Sequence, residues 1–193
     1  MGRSASLVGL PVPGHGDGGD AREAIFREWL PVVLRWCGRL GGPHVDPEDA
    51  AHDVLITVLT RMHTLRDPAA FPSWVYGITR RTLAWHRRKA WVKRWVPGLD
   101  PDVPSSEEAP EGLVASRELR QRVQALLEQL PAELREVLVL CDLEERPDEA
   151  VAALLGLPTG TVKSRLRRAR QRFALIATEG GLAPSTVLTG EEA

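Results

Sequence analysis

An all-α fold is predicted: two small helical domains joined by a flexible linker, the second containing a helix-turn-helix. Three observations predict it. Apolar residues recur at three- and four-residue spacing along most of the chain, and the period-two alternation of half-buried strands is absent. Residues 97–112, PGLDPDVPSSEEAPEG, hold four prolines and almost no apolar side chains, which is the composition of an extended linker. All six tryptophans (Trp29, Trp36, Trp74, Trp85, Trp91 and Trp95) precede that linker, so the two halves differ in composition. The chain has 193 residues; at about 100–200 per domain this is one ordinary domain or two small ones.

Residues 1–20 read as a flexible tail, with an apolar patch too short and too broken by Pro and Gly for a signal peptide. The first domain is expected over 21–96. Ile25, Trp29, Val32, Val33 and Trp36 mark its first helix, and GGPHVDPED breaks the chain after it. Asp46 is placed to cap the next helix, with Pro47 at its first position and Glu48 and Asp49 in its first turn, where acids suit the macrodipole. That helix carries Val54, Leu55, Val58, Leu59 and Met62. RDPAAFPS reads as a loop, and Ser73 as the cap of a third helix with Trp74, Ile78 and Trp85 on its core side.

The second domain is expected over 113–178, with 179–193 as a flexible tail. Leu119, Val123, Leu126, Leu127 and Leu130 form one helical stripe. Pro131 starts another helix, with Leu134, Val137, Leu138 and Cys141 facing inward. A short helix (149–155), a turn at Gly156–Pro158 and a last helix from Thr159 complete a helix-turn-helix pattern. In the last helix Val162, Leu166, Ala169 and Phe173 form the packing stripe, and Thr159 is the expected cap.

Charge is balanced in total, at −1, but sharply segregated. Residues 74–96 hold Arg80, Arg81, Arg87, Arg88, Lys89, Lys93 and Arg94 and no acid. Residues 97–111 hold five acids and no base. Six cations then fall within 163–172: Lys163, Arg165, Arg167, Arg168, Arg170 and Arg172, all off the apolar stripe. Two basic blocks around an acidic spacer point to a polyanion gripped in two places. An α-helix fits the DNA major groove, its first residues reaching base edges and its later arginines reaching phosphates.

The two cysteines, Cys37 and Cys141, have no paired spacing and read as buried thiols of a reducing compartment. No apolar stretch approaches the ~18 residues of a membrane span, so a cytoplasmic protein is expected. The five histidines do not cluster, and neither a nucleophile triad nor a phosphate-binding glycine loop is visible. Asp49 and Asp53 share a helical face beside His52, which would be part of a divalent-metal site only with a further ligand that the sequence does not identify.

The stretch EQLPAELREVLVLCDLEERPDEAVAALLGLPTGTVKSRLRRARQRF resembles the C-terminal DNA-binding region of bacterial sigma factors of the extracytoplasmic-function type, members of the sigma-70 family. The pattern LP-x-x-x-R-E-V-L-x-L, then LG-x-P-x-GTVKSRL-x-RAR, is met almost letter for letter. More loosely, HVDPEDAAHDVLITVL and FPSWVYGITRRTLAWHRRK resemble the two helices of the family's other domain. The resemblance covers about residues 21–178. It departs where Arg81 replaces the usual Asn, where Trp85 replaces Asp, and where E-R-P-D-E-A (residues 145–150) replaces G-L-S-Y-E-E. In that last stretch Arg146 takes an apolar position, where it should snorkel or find an acid such as Glu144 or Asp148, and Pro147 takes that of a capping Ser.

The resemblance implies a non-catalytic specificity subunit, without cofactor or metal, whose partners are core RNA polymerase and promoter DNA. It implies polymerase docking by Asp46, Glu48, Asp49, Asp53, Val54 and Leu55. It implies minus-10 binding by Arg66, Asp67, Ser73, Trp74, Tyr76, Arg80, Arg81, Arg87 and Arg88. It implies minus-35 binding by Thr159, Thr161, Lys163, Ser164, Arg165, Arg167, Arg168 and Arg170. With no sensory segment in the tail, control by a separate anti-sigma factor is an option the sequence leaves open. A stand-alone helix-turn-helix regulator on duplex operators is the alternative. A nucleic-acid-processing enzyme using the carboxylates near Asp49 is the third class.

Overall fold

The computed structural model describes residues 18–95 and 121–180, with side chains over 22–92 and 121–180. The 97–112 linker, Leu119, the side chains of Lys93 and Arg94 and most of the two expected tails lie outside the described residues; of the tails, Gly18–Asp20 instead open a helix and Glu179 closes one. Helices account for nearly all of the rest, and no strand occurs among the described residues. The described residues fall into two compact units, one over 18–95 and the other over most of 121–180.

The first unit holds α1 (Gly18–Leu40), α2 (Pro47–Arg61) and α3 (Phe71–Trp95), with short 3-10 turns at Met62–Thr64 and Pro68–Ala70. Helix α1 runs through Pro31, which would ordinarily break a helix by removing a hydrogen bond. Its buried face continues on both sides, with Ile25 and Trp29 before and Val32, Val33 and Trp36 after, so packing holds the helix together. The turn after α1 needs a glycine: a Cβ on Gly41 would stand 2.5 Å from the Cys37 carbonyl. Helix α2 starts as expected. The Asp46 carboxylate accepts from the backbone N–H of Glu48 (2.8 Å) and Asp49 (3.2 Å).

The core of this unit is aromatic. Trp29 meets Phe71 edge-on at 5.2 Å, Trp36 meets Tyr76 edge-on at 5.0 Å, and all four rings are buried. Val33, Val54, Leu55, Val58, Val75 and Ile78 close it. Three expectations are corrected here. Ser73 does not cap α3, which begins two residues earlier at Phe71; its hydroxyl donates to the Ala70 carbonyl at 2.9 Å. Tyr76 is 1 % exposed, filling the core against Trp36, and cannot offer a stacking face to DNA. Trp85 is not core: it is 50 % exposed. It keeps the helical phase of Ile78, but it lines an open groove between α2 and α3, together with Asp53, Ile56, Thr57 and Arg61 of α2, and so stays accessible.

The second unit contains α4 (described over 121–128), α5 (Ala132–Leu138) running into a π turn at Val139–Leu143, and α7 (Thr159–Glu179). Helix α6 (Asp148–Leu155) precedes α7. Helices α5 and α7 pack together. The predicted stripe of Val162, Leu166, Ala169 and Phe173 is buried, as are Leu126, Leu127 and Leu130. Arg135 is 7 % exposed; its Nη2 donates to the Glu128 and Leu130 carbonyls, each at 3.1 Å, and so satisfies the open end of α4. Glu144 N–H donates to the Val139 carbonyl at 2.9 Å, the i to i+5 bond that defines the π turn.

Arg146 finds Glu144, one of the acids expected: Nη2 lies 3.7 Å from Oε2, and both side chains are under 10 % exposed. Glu145 between them is held at φ 53°, the left-handed region, where the resembling pattern has glycine. That geometry costs a side-chain-bearing residue about 1–2 kcal/mol, against about 0.5–1 kcal/mol of extra chain freedom that glycine loses. Glu145→Gly is therefore expected to stabilise the second unit by about 0.5–1 kcal/mol, read as a higher melting temperature.

Candidate nucleic-acid interface

Helix α7 is positioned by a turn and by its buried stripe. Gly156 adopts φ +66°, so glycine suits the turn, and the chain then re-enters helix at Thr159. The cap differs from expectation. Pro158 occupies the cap position without a side-chain hydrogen bond, and Thr159 is the first helical residue. Thr161 is half-buried, and Ser164 is exposed with its hydroxyl donating to the Thr161 carbonyl at 3.0 Å.

Five of the six cations, Lys163, Arg167, Arg168, Arg170 and Arg172, are exposed on one side of a helix whose other side is core. Arg165 is half-buried. Arg168 Nε donates back to the Ser164 carbonyl at 3.3 Å. Arg170 has a partner within its own unit. Its Nε and Nη2 donate to the two Asp142 oxygens at 3.0 and 2.8 Å, a forked pair linking α7 to the π turn. That hydrogen bonding holds its guanidinium pKa above the ordinary value.

The first unit carries the second basic surface, on α3. Arg80, Arg81 and Arg88 are exposed. Arg87 is half-buried, and its Nη2 donates to the Leu40 carbonyl at 2.6 Å, capping α1. Trp74 is half-buried and stacks on Phe71 at 5.9 Å. Arg66 and Asp67 are exposed, but one Asp67 oxygen accepts from the Ala69 N–H at 2.9 Å and caps the short turn there.

Of the docking residues, Glu48, Asp49 and Asp53 are exposed on α2, and Asp46 beside them is exposed while serving as the cap. Asp53 Oδ2 lies 2.9 Å from His86 Nε2, joining α2 to α3. Val54 and Leu55 are corrected: both are fully buried, because they occupy the core stripe of α2. The exposed apolar residue there is Ile56, 56 % exposed, which the sequence reading missed. Its signal was present: it lies outside the stripe that Val54, Leu55 and Val58 define. Ile56 and Trp85 border an open groove of about 440 Å³ between α2 and α3, with Asp53, Arg61 and Arg81 on its rim. Lys89 Nζ sits over the Trp85 ring at 5.0 Å, a cation–π contact.

Among the described residues no three His, Cys, Asp or Glu side chains gather as a metal site would need. Among those residues no helix is long and apolar enough to cross a membrane. Both cysteines are free, Cys37 buried and Cys141 half-buried. Burial pushes the thiol pKa of each up to about 12, with Asp148 and Asp142 adding to the effect at Cys141, so both stay protonated and unreactive near neutral pH.

Comparison with known proteins places these elements. The sigma-70 region 2 family matches residues 25–93, and the sigma-70 region 4 family matches residues 120–173. Over 153 residues the chain is 33 % identical to the ECF RNA polymerase sigma factor SigE of Mycolicibacterium smegmatis, covering 78 % of this chain and 59 % of that one. It is 32 % identical over 145 residues to the ECF RNA polymerase sigma-E factor of Escherichia coli K12, covering 67 % and 72 %. Its fold is similar to that of the sigma factor RpoE in complex with the anti-sigma factor NepR from Bartonella quintana. That match has a TM-score of 0.56 at 21 % identity and covers 81 % of this chain and 96 % of the other.

Proposed function

The chain belongs to the extracytoplasmic-function sigma factors of the sigma-70 family, and from that premise we propose that it directs core RNA polymerase to promoters in the cytoplasm as a non-catalytic subunit. Residues 21–96 dock the polymerase through the α2 acids and Ile56, and bind minus-10 DNA through Arg66 and the exposed arginines of α3, Arg80, Arg81 and Arg88. Residues 113–178 read minus-35 DNA as duplex through Thr161, Lys163, Ser164, Arg165, Arg167 and Arg168. Two modest sites joined by a linker gain affinity through effective concentration. Phosphodiester chemistry belongs to the polymerase, so the chain needs neither metal nor cofactor. An anti-sigma protein is a further partner, supported by the RpoE–NepR complex.

The observation that carries this reading is the α7 face: exposed Lys163, Arg167 and Arg168 opposite a fully packed stripe, entered through the Gly156 turn. A stand-alone operator binder has no need of the region 2 unit, which matches over 25–93. The test is to mix the purified chain with core polymerase and a random promoter library. Co-elution and initiation at a common motif are expected. Ile56→Asp should weaken co-elution and leave the melting temperature unchanged, because the side chain is exposed. No association at all, with the isolated chain occupying duplex operators unaided, would overturn the reading.

A further inference from the structure

We propose that Asp142 governs the sequence discrimination of α7 by holding Arg170 as a strut. A cation that would otherwise add a sequence-blind phosphate contact is made to set the helix's orientation instead. The inference rests on α7 being the duplex-binding helix.

Lys163, Arg167 and Arg170 lie at i, i+4 and i+7 and so form one row along α7. The first two are exposed. The third is in line with them but is turned to Asp142, which engages it with both carboxylate oxygens at 3.0 and 2.8 Å. A forked pair fixes direction as well as distance, which a single contact does not. The Asp142 end is firmly based: its π turn carries Val139 and Leu140, both fully buried. Cys141 Sγ lies 3.7 Å from Asp148 Oδ1, tying the same turn to the start of α6. The Arg170 end follows directly on buried Ala169. The Arg170 side chain is 50 % exposed, so release from Asp142 would leave it free to extend the cationic row.

Energetically the pair is a poor stabiliser, because half-exposed ion pairs contribute about 0–1 kcal/mol. Its effect lies in geometry and in charge accounting. Each phosphate contact adds about 0.9 to the salt slope of duplex binding and nothing to discrimination between sequences. Withholding one such contact lowers binding to right and wrong sites alike, so the gain in discrimination comes from the strut itself, which fixes how the start of α7 meets the bases.

The experiment uses the full chain, a short duplex that it selects from a random library, and a scrambled duplex of the same composition, over a salt series. Asp142→Asn is expected to raise affinity for the scrambled duplex several-fold, steepen the salt slope by about one unit, and lower the selected-to-scrambled ratio by a similar factor. The double variant Asp142→Asn, Arg170→Gln should return scrambled affinity and slope to those of the unmodified chain, since no cation is released. Arg170→Gln alone should reduce the ratio without reducing scrambled affinity, and it decides the matter if Asp142→Asn fails to fold. Equal losses on both duplexes, an unchanged slope in Asp142→Asn, or a slope that falls by one unit in Arg170→Gln would each overturn the proposal. If the unmodified chain selects no duplex, the reading of α7 falls and takes this inference with it; selection with unresponsive variants removes the inference alone.

Discussion

Changing Lys163, Arg167 and Arg168 together to Gln is expected to weaken duplex binding about 10²–10³-fold and to flatten its salt dependence by nearly three units of slope. The size follows from the charge count. Each exposed cation that neutralises a phosphate releases a condensed counterion, and three such contacts account for a slope of about 2.7. The loss should be nearly the same for selected and scrambled duplexes, because phosphate contacts position the protein and do not read bases. The fold should survive. All three side chains are exposed, and the stripe of Val162, Leu166, Ala169 and Phe173 that holds α7 in place is untouched. Removing three like charges from adjacent turns should if anything favour the helix slightly. Binding titrations in a salt series, with circular dichroism as the control for folding, measure both quantities. Unchanged affinity would mean that this face does not meet DNA.

Trp36→Ala is the substitution expected to damage the first unit most. The ring is fully buried, edge-on to Tyr76 at 5.0 Å and tilted against Trp29 at 6.4 Å. Truncating a buried Trp costs about 3–5 kcal/mol, since the cavity cannot close when its walls are other large rings. That is a large share of the ~5–15 kcal/mol by which a typical domain is stable. Urea unfolding followed by near-ultraviolet dichroism should show the loss. Polymerase association should fail with it although no exposed docking residue has changed, whereas Ile56→Asp should impair association in a unit that still melts normally. The contrast separates residues that build the surface from those that form it, a distinction that Leu55 and Ile56 make one position apart.

What the sequence determined by itself was everything carried by neighbours a few residues apart. The helical stripes of α1, α2 and α7, the Asp46 cap, the Gly156 turn and the segregation of the cations are all local patterns with a period near 3.6. A duplex-binding segment was legible for the same reason: a helix-turn-helix with a cationic outer face is written within one short segment, and the sigma-factor role followed from the resemblance of its motifs. What only the tertiary structure decided was the occupation of individual polar groups by distant partners. Arg170 is held by Asp142 28 residues earlier, His86 meets Asp53 across 33, and Arg87 closes α1 across 47. Composition counts Arg87 and Arg170 with the DNA-facing cations; the folded chain gives each a partner of its own. Exposure followed the same rule. Trp85 has the phase of a core residue, yet it lies half-exposed on the open groove between α2 and α3. Periodicity reports which residues share a face of one helix. Whether that face is covered depends on the length and placement of other helices, and this is set by contacts between residues far apart in the chain.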